Sequence, residues 1–274
     1  MTFPEFWHPL TAVYDMGEAR AIARIVMERH FGLSLPDIAC GAVESLDALE
    51  LSAIRSRLLT GEPVQYILGE AEFCGRCFHV EPGVLIPRPE TEWLCHRAVS
   101  LMSGREGSVL DIGTGSGCIA CTLALDMAGH AEVEAWDISD SAIAVARSNA
   151  AVLGAHVTVY KTDALNPPAD RQRWDLIVSN PPYICLRERK DMHQNVLRYE
   201  PGEALFVPDE DPLLFYRAIA KYASKALKPA GTLLFELNPV YSEELQTMAT
   251  SLGFCSVTIE KDDYGKKRYA VIRH

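Results

Sequence analysis

Apolar residues recur every three to four positions in "MGEARAIARIVMERHF" and "SLDALELSAIRSRLLTGE", which predicts amphipathic helices within residues 1–70. Ser45 is the expected N-cap of the second. The pattern then changes in "GEPVQYILGEAEFCGRCFHVEPGVLIPRPETE", where Gly and Pro punctuate short alternating runs. Residues 71–86 therefore read as a connector holding a β-hairpin. Across residues 87–274 the apolar runs "SVLDIG", "EVEAWDI", "HVTVY", "WDLIVSN" and "GTLLFEL" are separated mostly by helical stretches. Such alternation predicts βαβ units and a parallel sheet covered on both faces. "SVTIEKDDYGKKRYAVIR" reads as two further strands turning at Tyr264 and Gly265. The expected fold class is α/β, a doubly wound, mostly parallel seven-stranded sheet with a small N-terminal helical domain.

Composition narrows the function. The chain has 274 residues, 48% hydrophobic and 23% charged, enough for a sizeable core and too apolar for disorder. Its net charge of −11 weighs against an unaided grip on a nucleic-acid backbone, so no direct nucleic-acid contact is expected. The N-terminus lacks a cationic start followed by an apolar core, and no window approaches the roughly 18 apolar residues of a membrane span. No membrane contact and a cytoplasmic location are expected. Of eight cysteines, Cys74/Cys77 and Cys118/Cys121 have C-x-x-C spacing. The second pair sits in a predicted buried helix and the first in a hairpin, so these read as structural thiols, and no metal is expected.

"VLDIGTGSGCIA" runs off a predicted strand into a predicted helix. Its glycines allow a tight turn and close approach of a ligand. The pattern Asp-x-Gly-x-Gly-x-Gly, from Asp111 through Gly113, Thr114, Gly115 and Ser116 to Gly117, differs from a dinucleotide fingerprint, and no P-loop lysine follows. A carboxylate at Asp111 repels a pyrophosphate but suits an ammonium group. Asp137, at the end of the next strand, is placed for ribose hydroxyls, and Asp163, ending the strand after that, for an adenine edge. An adenosine with a cationic amino-acid tail is S-adenosylmethionine, which is the expected cofactor.

"WDLIVSN" ends at Asn180, so "NPPY" opens on the same rim as the glycine loop. Pro181 and Pro182 supply no N–H and little freedom. The side-chain oxygen of Asn180 and the carbonyl of Pro181 are acceptors for the two N–H bonds of a planar amino group, and Tyr183 offers a flat face for stacking. An exocyclic base amine and a carboxamide both fit. The bland alternative is a strand that stops at a turn.

"SNPPY" with "DIGTGSG" resembles class I N-methyltransferases, and "GEPVQYILGEAEF", "VLIPRPETEWL" and "YEPGEALF" together resemble the glutamine methyltransferases of peptide chain release factors (the HemK/PrmC family). The resemblance implies a Rossmann-like methyltransferase domain over residues 87–274 and methyl transfer from S-adenosylmethionine to the glutamine of a Gly-Gly-Gln tip, releasing S-adenosylhomocysteine. It places the cofactor at residues 113–117, Asp137, Asp163 and Ala164, and the substrate at Asn180, Pro181, Pro182 and Tyr183. It further implies a lid at "PRPETE". "FELNPVYSEEL" departs from the Glu-x-Gly-x-x-Gln of many relatives, so Glu236 is given no role. Residues 1–70 are expected to dock the protein substrate, with the chain a monomer. "RERKDMHQNVLRYEP" reads as a charged surface loop near the partner. Competing readings are a ribosomal-protein glutamine methyltransferase, an adenine-N6 methyltransferase that flips its base, and a non-catalytic binding module.

Overall fold

Val109, Leu110, Asp111 and Ile112 are buried one after another along strand β1 (Gly107–Ile112), as a strand covered on both faces requires. The computed structural model describes residues 1–262 and 264–274. The other strands of the central sheet are β2 (Ala131–Asp137), β3 (Val157–Lys161), β4 (Trp174–Ser179), β5 (Leu227–Glu236), β6 (Ser256–Lys261) and β7 (Lys267–Arg273). Their order is β3-β2-β1-β4-β5-β7-β6. The first five pair in parallel, and β7 pairs antiparallel with both neighbours. This is the doubly wound seven-stranded sheet that the alternating runs predict, closed by an antiparallel hairpin.

Helices α1 (Glu92–Met102), α2 (Cys118–Asp126) and α3 (Asp140–Leu153) share one core cluster, and α4 (Leu214–Ala226) and α5 (Ser242–Ser251) share another. Successive strand residues go to opposite clusters. Val109 and Leu234 join the first, whereas Leu110, Leu233 and Phe235 join the second. Helix α3 starts at Ser139, whose hydroxyl accepts from the Ala142 amide, and stops at Gly154 in the left-handed region. Cys118 and Cys121 are buried on α2, Cys74 lies at the turn of the hairpin formed by Glu70–Phe73 and Arg76–His79, and all eight cysteines are free thiols.

The chain divides into two compact units, one of residues 1–70, 80–82 and 192–200, the other of residues 71–79, 83–191 and 201–274. The first is helical, with Phe3–Trp7, Met16–Ile25, Leu35–Ala39, Ala48–Leu58 and Val64–Leu68 around a core that includes Phe6, Met27, Leu51 and Leu58. The N-cap of Ala48–Leu58 is Asp47, not Ser45. The Asp47 carboxylate accepts from the Leu49 and Glu50 amides, while Ser45 ends a short turn and donates to the Ala42 carbonyl. A carboxylate at a helix start also gains from the macrodipole, which a hydroxyl does not. "RERKDMHQNVLRYEP" is not a loop throughout. It contains a turn of 3₁₀ helix, Leu186–Asp191, and the α-helix Gln194–Tyr199, which is anchored in the helical unit by Arg198 and Tyr199 donating to the Thr60 carbonyl. His193 is exposed.

Leu234 is fully buried at the centre of β5. Leu234→Ala should destabilise the sheet unit by about 2–5 kcal/mol, measured by chemical denaturation. A loss well below 1 kcal/mol would contradict the two-faced core.

Candidate active site

The carboxyl ends of β1 and β4 are neighbours at the point where the strand order reverses, and a crevice opens there in such sheets. Ser179, the last residue of β4, ties the two ends together by donating to the Ile112 carbonyl at 2.7 Å. Beyond Ile112, Gly113, Gly115 and Gly117 take φ of 76°, 54° and 80°. A Cβ at Gly113 or Gly115 would stand in open space, so the loop leaves its concave side free. A Cβ at Gly117 would come within 3.1 Å of Ala146, so the third glycine lets the start of α2 pack against α3.

A cavity of about 520 Å³ lies over this rim. It is lined by Gly113, Thr114, Gly115 and Ser116 from the loop, Asp137 from β2, Asp163 and Ala164 after β3, and Asn180, Pro181 and Pro182 after β4. Residues 83–88 and Thr91 add to the wall, so that Pro87, Arg88 and Thr91 of the "PRPETE" segment border the cavity, and so do Pro201, Glu203 and Ala204. The volume lies within the roughly 300–1,000 Å³ typical of small-molecule sites.

The three acids differ in role. Asp137 is half-buried, and its Oδ2 accepts from the Gly115 amide at 2.9 Å while Oδ1 accepts from Ser139 at 2.9 Å. It therefore holds the loop as well as facing the cavity. Asp163 accepts from the Leu165 amide and from Asn166 Nδ2. Asp111 is fully buried and is not among the lining residues. Its Oδ2 accepts from the Thr114 hydroxyl at 2.6 Å, and burial pushes its carboxyl up to about 7. The expected direct facing of Asp111 on a ligand gives way to a position beneath the loop, because inward-pointing positions of a doubly covered strand have no path to the rim. Gly117 also lies outside the lining.

Asn180 Nδ2 donates to Thr91 Oγ1 at 3.1 Å, and Thr91 Oγ1 donates to Glu236 Oε2 at 2.7 Å. The Tyr183 hydroxyl donates to Glu236 Oε1 at 2.9 Å. The Tyr183 hydroxyl is thus directed at Glu236, and its partly buried ring packs beside the second core cluster. Glu236 is 2% exposed, and burial pushes its carboxyl above the usual carboxylate range despite donors from Thr91 and Tyr183. Sequence reasoning missed Thr91 and Glu236. The available signal was a lone acid closing "GTLLFEL" at the rim where β2 and β4 also end in polar residues, Asp137 and Ser179.

The chain is 44% identical to the release factor glutamine methyltransferase of Bacteroides thetaiotaomicron, over 94% of each chain. It belongs to the release factor glutamine methyltransferase family. The protein of that name from Flavobacterium psychrophilum is 38% identical, over 96% of this chain and 95% of its own. Residues 95–199 match the methyltransferase small domain, which contains the glycine loop, Asp137, Asp163 and the NPPY turn but stops short of Thr91 and Glu236 on either side. The fold is shared with a methyltransferase from Pyrococcus furiosus, with a TM-score of 0.53 and 18% identity over 81% of this chain and 97% of that one.

In a family defined by methyl transfer, the half-buried Asp137 is the most direct test of the cofactor face. Asp137→Ala should weaken S-adenosylmethionine binding by about 1–3 kcal/mol, since polar partners are left unpaired and the Gly115 amide loses its acceptor. Calorimetry showing unchanged affinity would remove Asp137 from the site.

Proposed function

We propose that this chain transfers the methyl group of S-adenosylmethionine to the side-chain amide nitrogen of the glutamine in the Gly-Gly-Gln motif of peptide chain release factors. One observation carries the reading. Asn180 commits its nitrogen to Thr91, which leaves its acceptor oxygen at the cavity shared with the glycine loop.

The residues fit the cofactor. The open side of Gly113 and Gly115 gives room for its amino-acid tail, Asp137 holds the ribose hydroxyls, and Asp163 with Ala164 borders the adenine. Asp111 acts from beneath through Thr114. Once bound, S-adenosylmethionine supplies a methyl carbon made electrophilic by the sulfonium.

A carboxamide nitrogen is a weak nucleophile because its lone pair is delocalised into the carbonyl. Asn180 Oδ1 and the Pro181 carbonyl accept its two N–H bonds, which aims the lone pair at the methyl carbon and stabilises the charge that develops on nitrogen. The carbon–nitrogen bond forms as the carbon–sulfur bond breaks. Transfer would leave the electron pair on the cofactor's sulfur, as S-adenosylhomocysteine, and the nitrogen held by Asn180 and Pro181 would shed one proton to solvent. Tyr183 supports this geometry from behind, through Glu236. Residues 1–70 dock the release factor, and the chain works as a cytoplasmic monomer without contacting nucleic acid or membrane. Among the described residues no helix is long and apolar enough to cross a membrane.

Purified chain should place labelled methyl on the Gly-Gly-Gln glutamine of a release factor, located by mass spectrometry. Label appearing instead on a ribosomal protein or on adenine would overturn the substrate assignment. Asn180→Ala should lower the single-turnover rate roughly 10²–10³-fold with cofactor affinity kept, as for loss of one preorganised polar partner. Asn180→Asp keeps acceptor oxygens but loses the amide donor to Thr91, so it should fall between. An alanine variant as fast as wild type would reduce NPPY to a turn.

A further inference from the structure

Four side chains from three separate segments are linked by hydrogen bonds that converge on Glu236: Asn180 and Tyr183 from the turn after β4, Thr91 before α1, and Glu236 at the end of β5. A carboxylate has no proton to give, so an ionised Glu236 can only accept. The single hydroxyl proton of Thr91 must then go to Glu236. Thr91 is left with lone pairs alone for Asn180, and only the NH₂ end of the Asn180 amide can meet them. The amide is thereby turned with Nδ2 inward and Oδ1 away from Thr91.

We propose that Thr91 and Glu236 are positioning residues, whose hydrogen-bond polarity fixes the Asn180 amide so that an acceptor, and not a donor, faces the substrate nitrogen. This rests on the reading of Asn180 given above. An amide free to rotate by half a turn presents NH₂ to the substrate NH₂, two donors face to face, and that orientation is unproductive.

The same logic gives a pH dependence. When Glu236 takes up a proton it can donate to Thr91, whose own proton is then released toward Asn180, and the preferred amide orientation reverses. Burial raises the carboxyl, and so does the nearby Glu90. Arg268 of β7 opposes this by favouring ionisation, and the Thr91 and Tyr183 hydroxyls do the same by donating. On the remaining side the Tyr216 hydroxyl donates to the main-chain oxygen of Glu236, and Tyr269 donates to that of Glu90. The relay is thus set above the raised carboxyl value and lost as pH falls through it.

Three measurements test the relay on the full-length chain. In the side-chain amide NMR spectrum, the Asn180 Nδ2 protons should be protected in wild type and in Thr91→Ser, and unprotected in Thr91→Val. This needs no protein substrate, so it decides the relay even if wild type methylates nothing and the proposed function fails. In single turnover with a release factor, at saturating cofactor and a temperature where both are folded, Thr91→Val should be about tenfold slower or more, the worth of one orienting hydrogen bond, and Thr91→Ser should retain the wild-type rate. The acid limb of the wild-type rate profile should disappear in Glu236→Gln, which cannot titrate there. An active wild type whose rate is matched by Thr91→Val overturns the proposal. So does an equal loss in the Val and Ser variants, which would mean packing, or an acid limb that persists in Glu236→Gln.

Discussion

The reversal of strand order between β1 and β4 is the constraint on which the rest of the sheet unit depends. Right-handed crossovers carry the chain to one face of the sheet after β1 and to the other after β4, so their loops part and leave an opening at the shared end. Into that opening the sequence puts a loop that needs three left-handed glycines and a turn that is stiffened by two prolines. Both are rigid for local reasons, one because α2 begins at once, the other because φ is locked. A methyl transfer in line needs that kind of fixed distance between the two sides.

The electrostatics follow from where each acid sits relative to the rim. Asp137 and Asp163 reach the cavity and are held by amide donors, whereas Asp111 and Glu236 are sealed one layer down. The outer pair faces the cavity, and each of the inner pair accepts from a hydroxyl at its wall: Asp111 from Thr114 beside the glycine loop, Glu236 from Thr91 beside Asn180. A single arrangement, a buried carboxylate fixing a hydroxyl that shapes the rim, is therefore used twice.

How much of this could be read from sequence depended on whether a signal was local. The glycine loop, Asp137 and Asn180 are local patterns at predicted strand ends, and the structure brings them to one cavity. Of the two C-x-x-C pairs, one falls in the apolar helix and the other in the hairpin where the sequence pattern places them. Thr91 and Glu236 are 145 residues apart, and nothing local to either announces the other. Tyr183 was expected to offer a flat face for stacking, and the bond of its hydroxyl to Glu236, 53 residues on, is likewise announced by nothing local. The helix Gln194–Tyr199 was missed for the same kind of reason. Six residues gain too little from propensity alone, and its support comes from contacts with Thr60 that only the fold supplies.

The two sealed acids also carry a cost, whose sign bears on why they persist. Each has a folded carboxyl raised above its ordinary value, so the folded state holds its proton more tightly than the unfolded chain does. Stability therefore declines as pH rises from the ordinary carboxylate value through the raised one, for Asp111 from 3.8 to about 7. For Asp111 much of that loss has taken place by neutral pH. Packing alone does not explain such residues, since an apolar or amide side chain of similar size avoids the cost. What an ionised carboxylate provides and those do not is an acceptor with no donor character, and so a fixed direction for every hydroxyl bound to it. The destabilisation is thus tied to orientation at the rim, which is the property the two sides of the cavity share.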